Sequence, residues 1–109
     1  MAEERLEKLL NFLKSSPNNS FLLFAIAKEY ETNQQMDMAL KYYLQLKEND
    51  ADYIGLYYHL AKLYEYLEEK ILALQTYTDG IALAKRLTDY HALSELNNAK
   101  MNLELELGN

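Results

Sequence analysis

The feature that most constrains this chain is an internal repeat. Residues 20–53 and residues 54–87 align without a gap, and eight of the aligned positions are identical. A fixed period in the range of roughly 20 to 50 residues is typical of stacked supersecondary units, which bury their apolar faces against one another because none can do so alone. The identical pairs are Leu22/Leu56, Ala27/Ala61, Lys28/Lys62, Tyr30/Tyr64, Glu31/Glu65, Ala39/Ala73, Leu40/Leu74 and Tyr43/Tyr77.

Small and aromatic residues recur at fixed positions inside each copy. With the first residue of each copy counted as position 1, alanine falls at positions 8 and 20, and tyrosine falls at positions 11 and 24. This spacing resembles that of the tetratricopeptide repeat. Pro17 precedes the first copy, where a preceding repeat carries its terminal proline. The copies depart from the family pattern at position 4, where Leu23 and Tyr57 replace Trp, and near the end, where Ala51 and Lys85 replace Pro.

The resemblance implies an all-α fold, a right-handed solenoid of helical hairpins in a single domain that spans residues 1–109. Two full repeats occupy residues 20–53 and 54–87. Residues 1–19 supply the helix and turn of a half-repeat. Residues 88–109 supply a capping helix, whose polar outer face suits the end of an array. Helices are predicted near Ala2–Lys14, Ser20–Thr32, Met36–Lys47, Tyr53–Leu67 and Lys70–Leu87, and a last helix begins after Thr88, capped by Thr88 or Asp89, and reaches about Leu105.

The repeated small and aromatic residues have a packing explanation. Ala27 and Ala61 are predicted where two antiparallel helices cross closely, since a larger side chain would push the helices apart. Gly80 falls inside a predicted helix, where glycine costs about 1 kcal/mol relative to alanine, so we expect a packing reason for it as well. The tyrosines at positions 11 and 24 are predicted to fill the space between helices, where they can keep their hydroxyls in contact with water.

Composition and charge exclude several classes of function. The 109 residues include no Cys, so neither a disulfide framework nor a thiolate site is expected. The formal net charge of −6 opposes phosphate, so no nucleic-acid partner is expected. The longest apolar stretch, residues 21–27, is too short to span a membrane. Residues 1–5 are acidic, unlike a signal peptide, and the chain is therefore predicted to be cytoplasmic and to bind no membrane.

No catalytic or cofactor-binding pattern is visible in the sequence. The two histidines, His59 and His91, lack the spacing of metal ligands and are expected on the surface or in a groove. The three glycines are scattered and form no phosphate-binding loop, and Ser94 has no acid and histidine at a recognisable spacing. The sequence therefore predicts no catalytic residue, no metal site, no cofactor and no enzymatic activity.

The resemblance also implies a binding surface. In tetratricopeptide repeat arrays the first helix of each pair lines a concave groove, and residues at positions 2, 5, 9 and 12 face that groove. In this chain the groove would present aromatic rings between lysines. The predicted groove residues are Phe21, Phe24, Lys28 and Glu31 in the first repeat and Tyr58, His59, Lys62, Glu65 and Tyr66 in the second.

Two interpretations of the repeated lysines stay open. Lys28 and Lys62 either contact a partner or form ion pairs with Glu31 and Glu65, three residues later, which contribute a few tenths of a kcal/mol. Some family members hold a peptide's terminal carboxylate with a lysine-and-asparagine clamp. That clamp is not expected here, because Phe24 and Lys28 occupy the positions where it needs Lys and Asn.

The predicted function is a protein-interaction module that binds a partner peptide or helix in the groove. The alternative is a structural or scaffold protein that associates with itself. In that case the terminal helices, with Leu10 and Phe12 at one end, would pair with a second copy and form a homodimer.

Overall fold

The computed structural model describes residues 2–108, so Met1 and Asn109, the two ends of the predicted domain, lie outside the described residues. Between residues 2 and 108 the chain forms six α-helices and no strand, which confirms the predicted all-α fold. The helices are α1 (Ala2–Ser15), α2 (Ser20–Thr32), α3 (Met36–Asn49), α4 (Gly55–Tyr66), α5 (Lys70–Leu87) and α6 (Tyr90–Glu106). Within this part of the chain, none of the helices is long and apolar enough to cross a membrane.

The ends of the helices follow local signals in the sequence. Asn19 caps α2, since its side chain accepts a hydrogen bond of 2.9 Å from the backbone N–H of Leu22. Asp89 caps α6 in the same way, with a bond of 3.0 Å from the N–H of Ala92. The predicted start of α4 at Tyr53 is wrong. The N–H of Tyr53 instead bonds to the carbonyl of Asp50 in a turn, and the helix begins after Ile54.

The chain divides into two compact units between Tyr53 and Ile54. Unit 1 contains α1, α2 and α3, and α2 packs against both of the other helices. Unit 2 contains α4, α5 and α6, and α5 packs against both of the other helices. This division falls at the predicted boundary between the two repeats, while the assignment of residues 1–109 to one domain stays a prediction.

Repeated alanines and tyrosines form much of the core of each unit. Ala27, Ala39 and Tyr43 are fully buried in unit 1, and their counterparts Ala61, Ala73 and Tyr77 are fully buried in unit 2. Leucines complete both cores, which pack at the density typical of protein interiors. The fully buried leucines include Leu23 and Leu46 in unit 1 and Leu56 and Leu60 in unit 2.

Gly80 permits the closest approach within unit 2. A Cβ atom added at Gly80 would lie 2.7 Å from Cβ of Tyr57 on α4 and 3.1 Å from Cδ1 of Leu96 on α6. The first distance is shorter than a normal carbon–carbon contact, and Cβ of Tyr57 moves only if α4 moves. The predicted packing reason for glycine is therefore confirmed.

Replacing Gly80 by alanine is expected to destabilise unit 2. Overpacking costs about 1–3 kcal/mol, while the better helix propensity of alanine returns about 1 kcal/mol. A net loss of up to about 2 kcal/mol in the free energy of unfolding should appear in urea titrations. The matched control is Ala82→Gly at an exposed position of the same helix, which measures propensity alone. If Gly80→Ala raises stability by the amount that Ala82→Gly removes, the close contact does not limit packing.

Candidate functional site

In unit 1, the predicted groove residues lie along one side of α2, which we call the α2 face (Phe21, Phe24, Lys28 and Glu31). The side chain of Lys28 is exposed, and its Nζ lies 5.8 Å from the ring centroid of Phe24. The ring of Phe24 is half-buried and packs against the rings of Tyr53 and Tyr43, with centroids 5.3 Å and 6.2 Å away. Phe21 is 64% exposed, so its ring is the one that a partner reaches most freely.

The carboxylate of Glu31 is held in place by unit 1 itself. The buried hydroxyl of Tyr43, on α3, donates a hydrogen bond to Oε1 of Glu31. Burial raises the pKa of the Tyr43 phenol far above its ordinary value, and the hydrogen bond to Glu31 and the charge of that carboxylate raise it further. The prediction that this hydroxyl faces water is therefore wrong, because it joins the two helices of the repeat.

Unit 2 repeats this arrangement on the α4 face (Tyr58, His59, Lys62, Glu65 and Tyr66). The Nζ of Lys62 lies 5.7 Å from the ring centroid of Tyr58, and 3.9 Å from Oε2 of Glu65. The ring of His59 meets that of Tyr58 edge to face at 5.6 Å between centroids. Tyr66, the last residue of α4, is 64% exposed.

The carboxylate of Glu65 on the α4 face is held in the same way as that of Glu31 on the α2 face. The hydroxyl of Tyr77, on α5, donates a hydrogen bond to Oε2 of Glu65. Burial is again the main cause of the raised pKa of the phenol, followed by the hydrogen bond and charge of Glu65. The prediction of a hydroxyl facing water is wrong for Tyr77 too. In each repeat, a half-buried ring, an exposed lysine and a fixed carboxylate thus stand in the same order along one helix.

A pocket of about 200 Å³ lies beside the α4 face, within unit 2. Its walls come from the start of α4 and the start of α6, so it brings His59 and His91 to the same cavity. No group of three or more His, Asp or Glu side chains between residues 2 and 108 is placed to hold a metal ion. The pocket is lined by Ile54, Gly55, Tyr58, His59, Asp89, His91, Ala92, Glu95 and Leu96.

Comparison with known proteins decides the family. No protein-family model matches the chain, and no curated protein sequence matches it. Among solved structures, the solution structure of a tetratricopeptide repeat domain protein from Salinibacter ruber is 40% identical, with a TM-score of 0.77, and the match covers 81% of this chain and 89% of that one. This chain belongs to the tetratricopeptide repeat family.

Two more distant structures share the fold of this tetratricopeptide repeat protein. The type III secretion translocator chaperone SycD of Yersinia enterocolitica is 12% identical, with a TM-score of 0.90, and the match covers 99% of this chain and 75% of that chain. The TPR2B domain of yeast Sti1, in its complex with pHsp70, is 12% identical, with a TM-score of 0.88, covering 96% and 84% of the two chains. At this identity the likeness concerns the fold alone.

Two features of this tetratricopeptide repeat chain escaped the sequence interpretation. The bonds from tyrosine to glutamate were not predicted, although Glu31/Glu65 and Tyr43/Tyr77 are identical pairs at the same spacing in both repeats. The contribution of Asp89 and Glu95, at the start of the last helix, to the pocket was not predicted either. Asp89, His91 and Glu95 lie outside the repeats, so the internal alignment carried no information about them.

Proposed function

We propose that this chain is a protein-interaction module whose α2 face and α4 face contact a partner peptide or helix. The observation that carries the proposal is the recurrence of the same chemistry on both faces. A ring with a lysine Nζ above it is followed by a carboxylate fixed from the second helix of the repeat. Another protein with this fold binds a partner, since the TPR2B domain of yeast Sti1 was solved in complex with pHsp70.

The lysines are the polar groups of these faces that a partner can engage most readily. Glu31 and Glu65 already accept hydrogen bonds from buried tyrosines, whereas Lys28 is exposed and the side chain of Lys62 is 45% exposed. The Lys62–Glu65 ion pair is present, but a surface pair of this kind contributes only about 0–1 kcal/mol. An ammonium group can therefore turn to the carboxylates or backbone carbonyls of a partner, while the rings supply apolar contact area.

A site-specific crosslinking experiment tests this proposal. A photoreactive phenylalanine analogue is placed at Phe21 on the α2 face, at Lys62 on the α4 face, and at Leu44 on α3 as a control that is 40% exposed. On irradiation in cells of the source organism, the first two positions are expected to give a covalent adduct with one partner protein, which mass spectrometry identifies. The control position is expected to give none.

Two outcomes would count against the proposal. Capture of the same partner from Leu44 but from neither face would place the binding surface on the second helices. An adduct of twice the mass of the chain would favour self-association instead. That second candidate has its own observation, because Phe12 is 63% exposed on α1 and Leu10 lines a surface pocket of about 430 Å³ together with Leu6.

A further inference from the structure

The turns that join the two helices of each repeat have the same backbone. The C-cap of α2 is Asn33, with φ −86° and ψ 9°, and the C-cap of α4 is Leu67, with φ −83° and ψ 5°. The next residue is left-handed in both turns, with φ 63° at Gln34 and at Glu68. The backbone hydrogen bonds that close the two turns also correspond. The N–H of Gln35 donates to the carbonyl oxygen of Tyr30, and the N–H of Glu69 donates to the carbonyl oxygen of Tyr64.

The side chains on this common backbone differ. At the second turn, Tyr66 and Ile71 are 64% and 66% exposed, and Leu67 and Leu72 are also exposed. We call these four residues the turn patch. The aligned residues of the first turn are Thr32, Asn33, Asp37 and Met38, of which the first three are polar. Since the same backbone forms with polar side chains at the positions of Tyr66, Leu67 and Ile71, the fold of the repeat does not require apolar residues at those three positions.

Two glutamates lie within the turn patch in the chain. Glu68 and Glu69 separate its two halves, and the next residue, Lys70, pairs with Glu68 at 3.8 Å. The formal net charge of the whole chain is −6. A second copy of this chain would bring the same two glutamates against themselves across a two-fold axis, which like-charge repulsion disfavours. An occupant with apolar side chains flanked by cations complements both the apolar side chains of the patch and the two glutamates.

We propose that the turn patch, which shares only Tyr66 with the α4 face, is a docking site for a partner segment whose apolar anchors are flanked by lysine or arginine. Ile71 and Leu72 provide the apolar contact, and Glu68 and Glu69 attract and orient the basic flanks. Contiguous exposed apolar residues rimmed by charge mark interaction sites on folded proteins. The charges increase the rate of encounter and exclude acidic segments.

The chain itself supplies the variant that tests this site. Leu67→Asn/Ile71→Asp gives the second turn the residues that the first turn carries on the same backbone, so we expect the variant to fold. The probe is an amphipathic helical peptide of about 14 residues built only from leucine and lysine, close to the length at which isolated helices form. Isothermal titration calorimetry is expected to show at least tenfold weaker binding to the variant than to the parent chain.

Three controls make the result decisive. Phe12→Asp changes an equally exposed apolar residue in unit 1 and should leave the affinity unchanged. A peptide with glutamate in place of every lysine should not bind. Ile71→Asp alone should reproduce most of the loss if the double variant melts at a lower temperature.

Equal affinity of the variant and the parent chain, equal loss with Phe12→Asp, or binding of the acidic peptide would each overturn the proposal. So would a concentration-dependent dimer of the parent chain that the double variant abolishes, since the occupant would then be a second copy.

Discussion

Replacing Tyr77 by alanine is expected to lower the free energy of unfolding by about 3–5 kcal/mol, the usual cost of removing a large buried aromatic side chain. The ring is fully buried in unit 2, and its hydroxyl holds the carboxylate of Glu65. Because domains of this size are stable by about 5–15 kcal/mol, this single change removes a large fraction of the total. Urea titration followed by circular dichroism measures the loss, and Tyr43→Ala is expected to give a similar value in unit 1.

The phenylalanine variant separates the ring from the hydroxyl. Tyr77→Phe keeps the packing and removes only the hydrogen bond to Glu65, so its expected cost is about 1–3 kcal/mol. Tyr90→Ala is the matched control, since Tyr90 is 74% exposed and its loss should change stability by less than about 0.5 kcal/mol. A Tyr77→Ala variant that unfolds at the same urea concentration as the parent chain would contradict the assignment of position 24 to the core.

The ends of two helices were predicted without error, and one of them, α2, carries a clear capping signal in the sequence. Both ends of α2 and of α5 were predicted correctly, and Asn19 caps α2 as expected. The start of α4 was misplaced because its N-cap is Ile54, which has no polar side chain to announce the helix. The signal there comes instead from the turn after Asp50, a backbone arrangement that many sequences adopt.

The candidate faces were predictable only as positions, not as interactions. The repeat alignment placed Lys28 and Lys62 at equivalent sites, and the structure adds that each lies over a ring of its own helix. It also adds that Glu31 and Glu65 are fixed from within each unit. The hydrogen bonds to the two glutamates depend on how the second helix of the repeat packs against the first, which the pattern of residue types does not specify.

The turn patch was missed for the opposite reason. The alignment directs attention to positions where the two repeats agree, whereas this patch lies where they differ. Thr32 and Asp37 align with Tyr66 and Ile71, and the matching backbone angles of Asn33 and Leu67 show that the turn does not depend on this difference. Differences between copies that share a backbone are therefore informative about function, since packing does not account for them.

The role of α6 as a cap is a proposal that follows from its packing on α5. Leu96, Ala99 and Leu103 are buried along one side of α6, and Leu96 reaches the space beside Gly80. Residues on the other side, among them Asn97, Asn98 and Asn102, are exposed. One apolar side against α5 and one polar side towards solvent is the arrangement that the end of a helical array needs.

Deleting residues 90–109 is expected to have the largest effect of all. Burial of the two leucines and the alanine of α6 contributes on the order of 4–6 kcal/mol, and their removal also uncovers the side of α5 around Gly80, where Leu96 packs. An exposed apolar surface of several hundred Å² promotes association, so the truncated chain should sediment as oligomers and unfold at lower urea concentration. Deletion of residues 107–109 alone leaves α6 intact and should change neither property. A chain without α6 that remained monomeric and as stable as the parent would show that α5 needs no cover, and hence that α6 is not a cap.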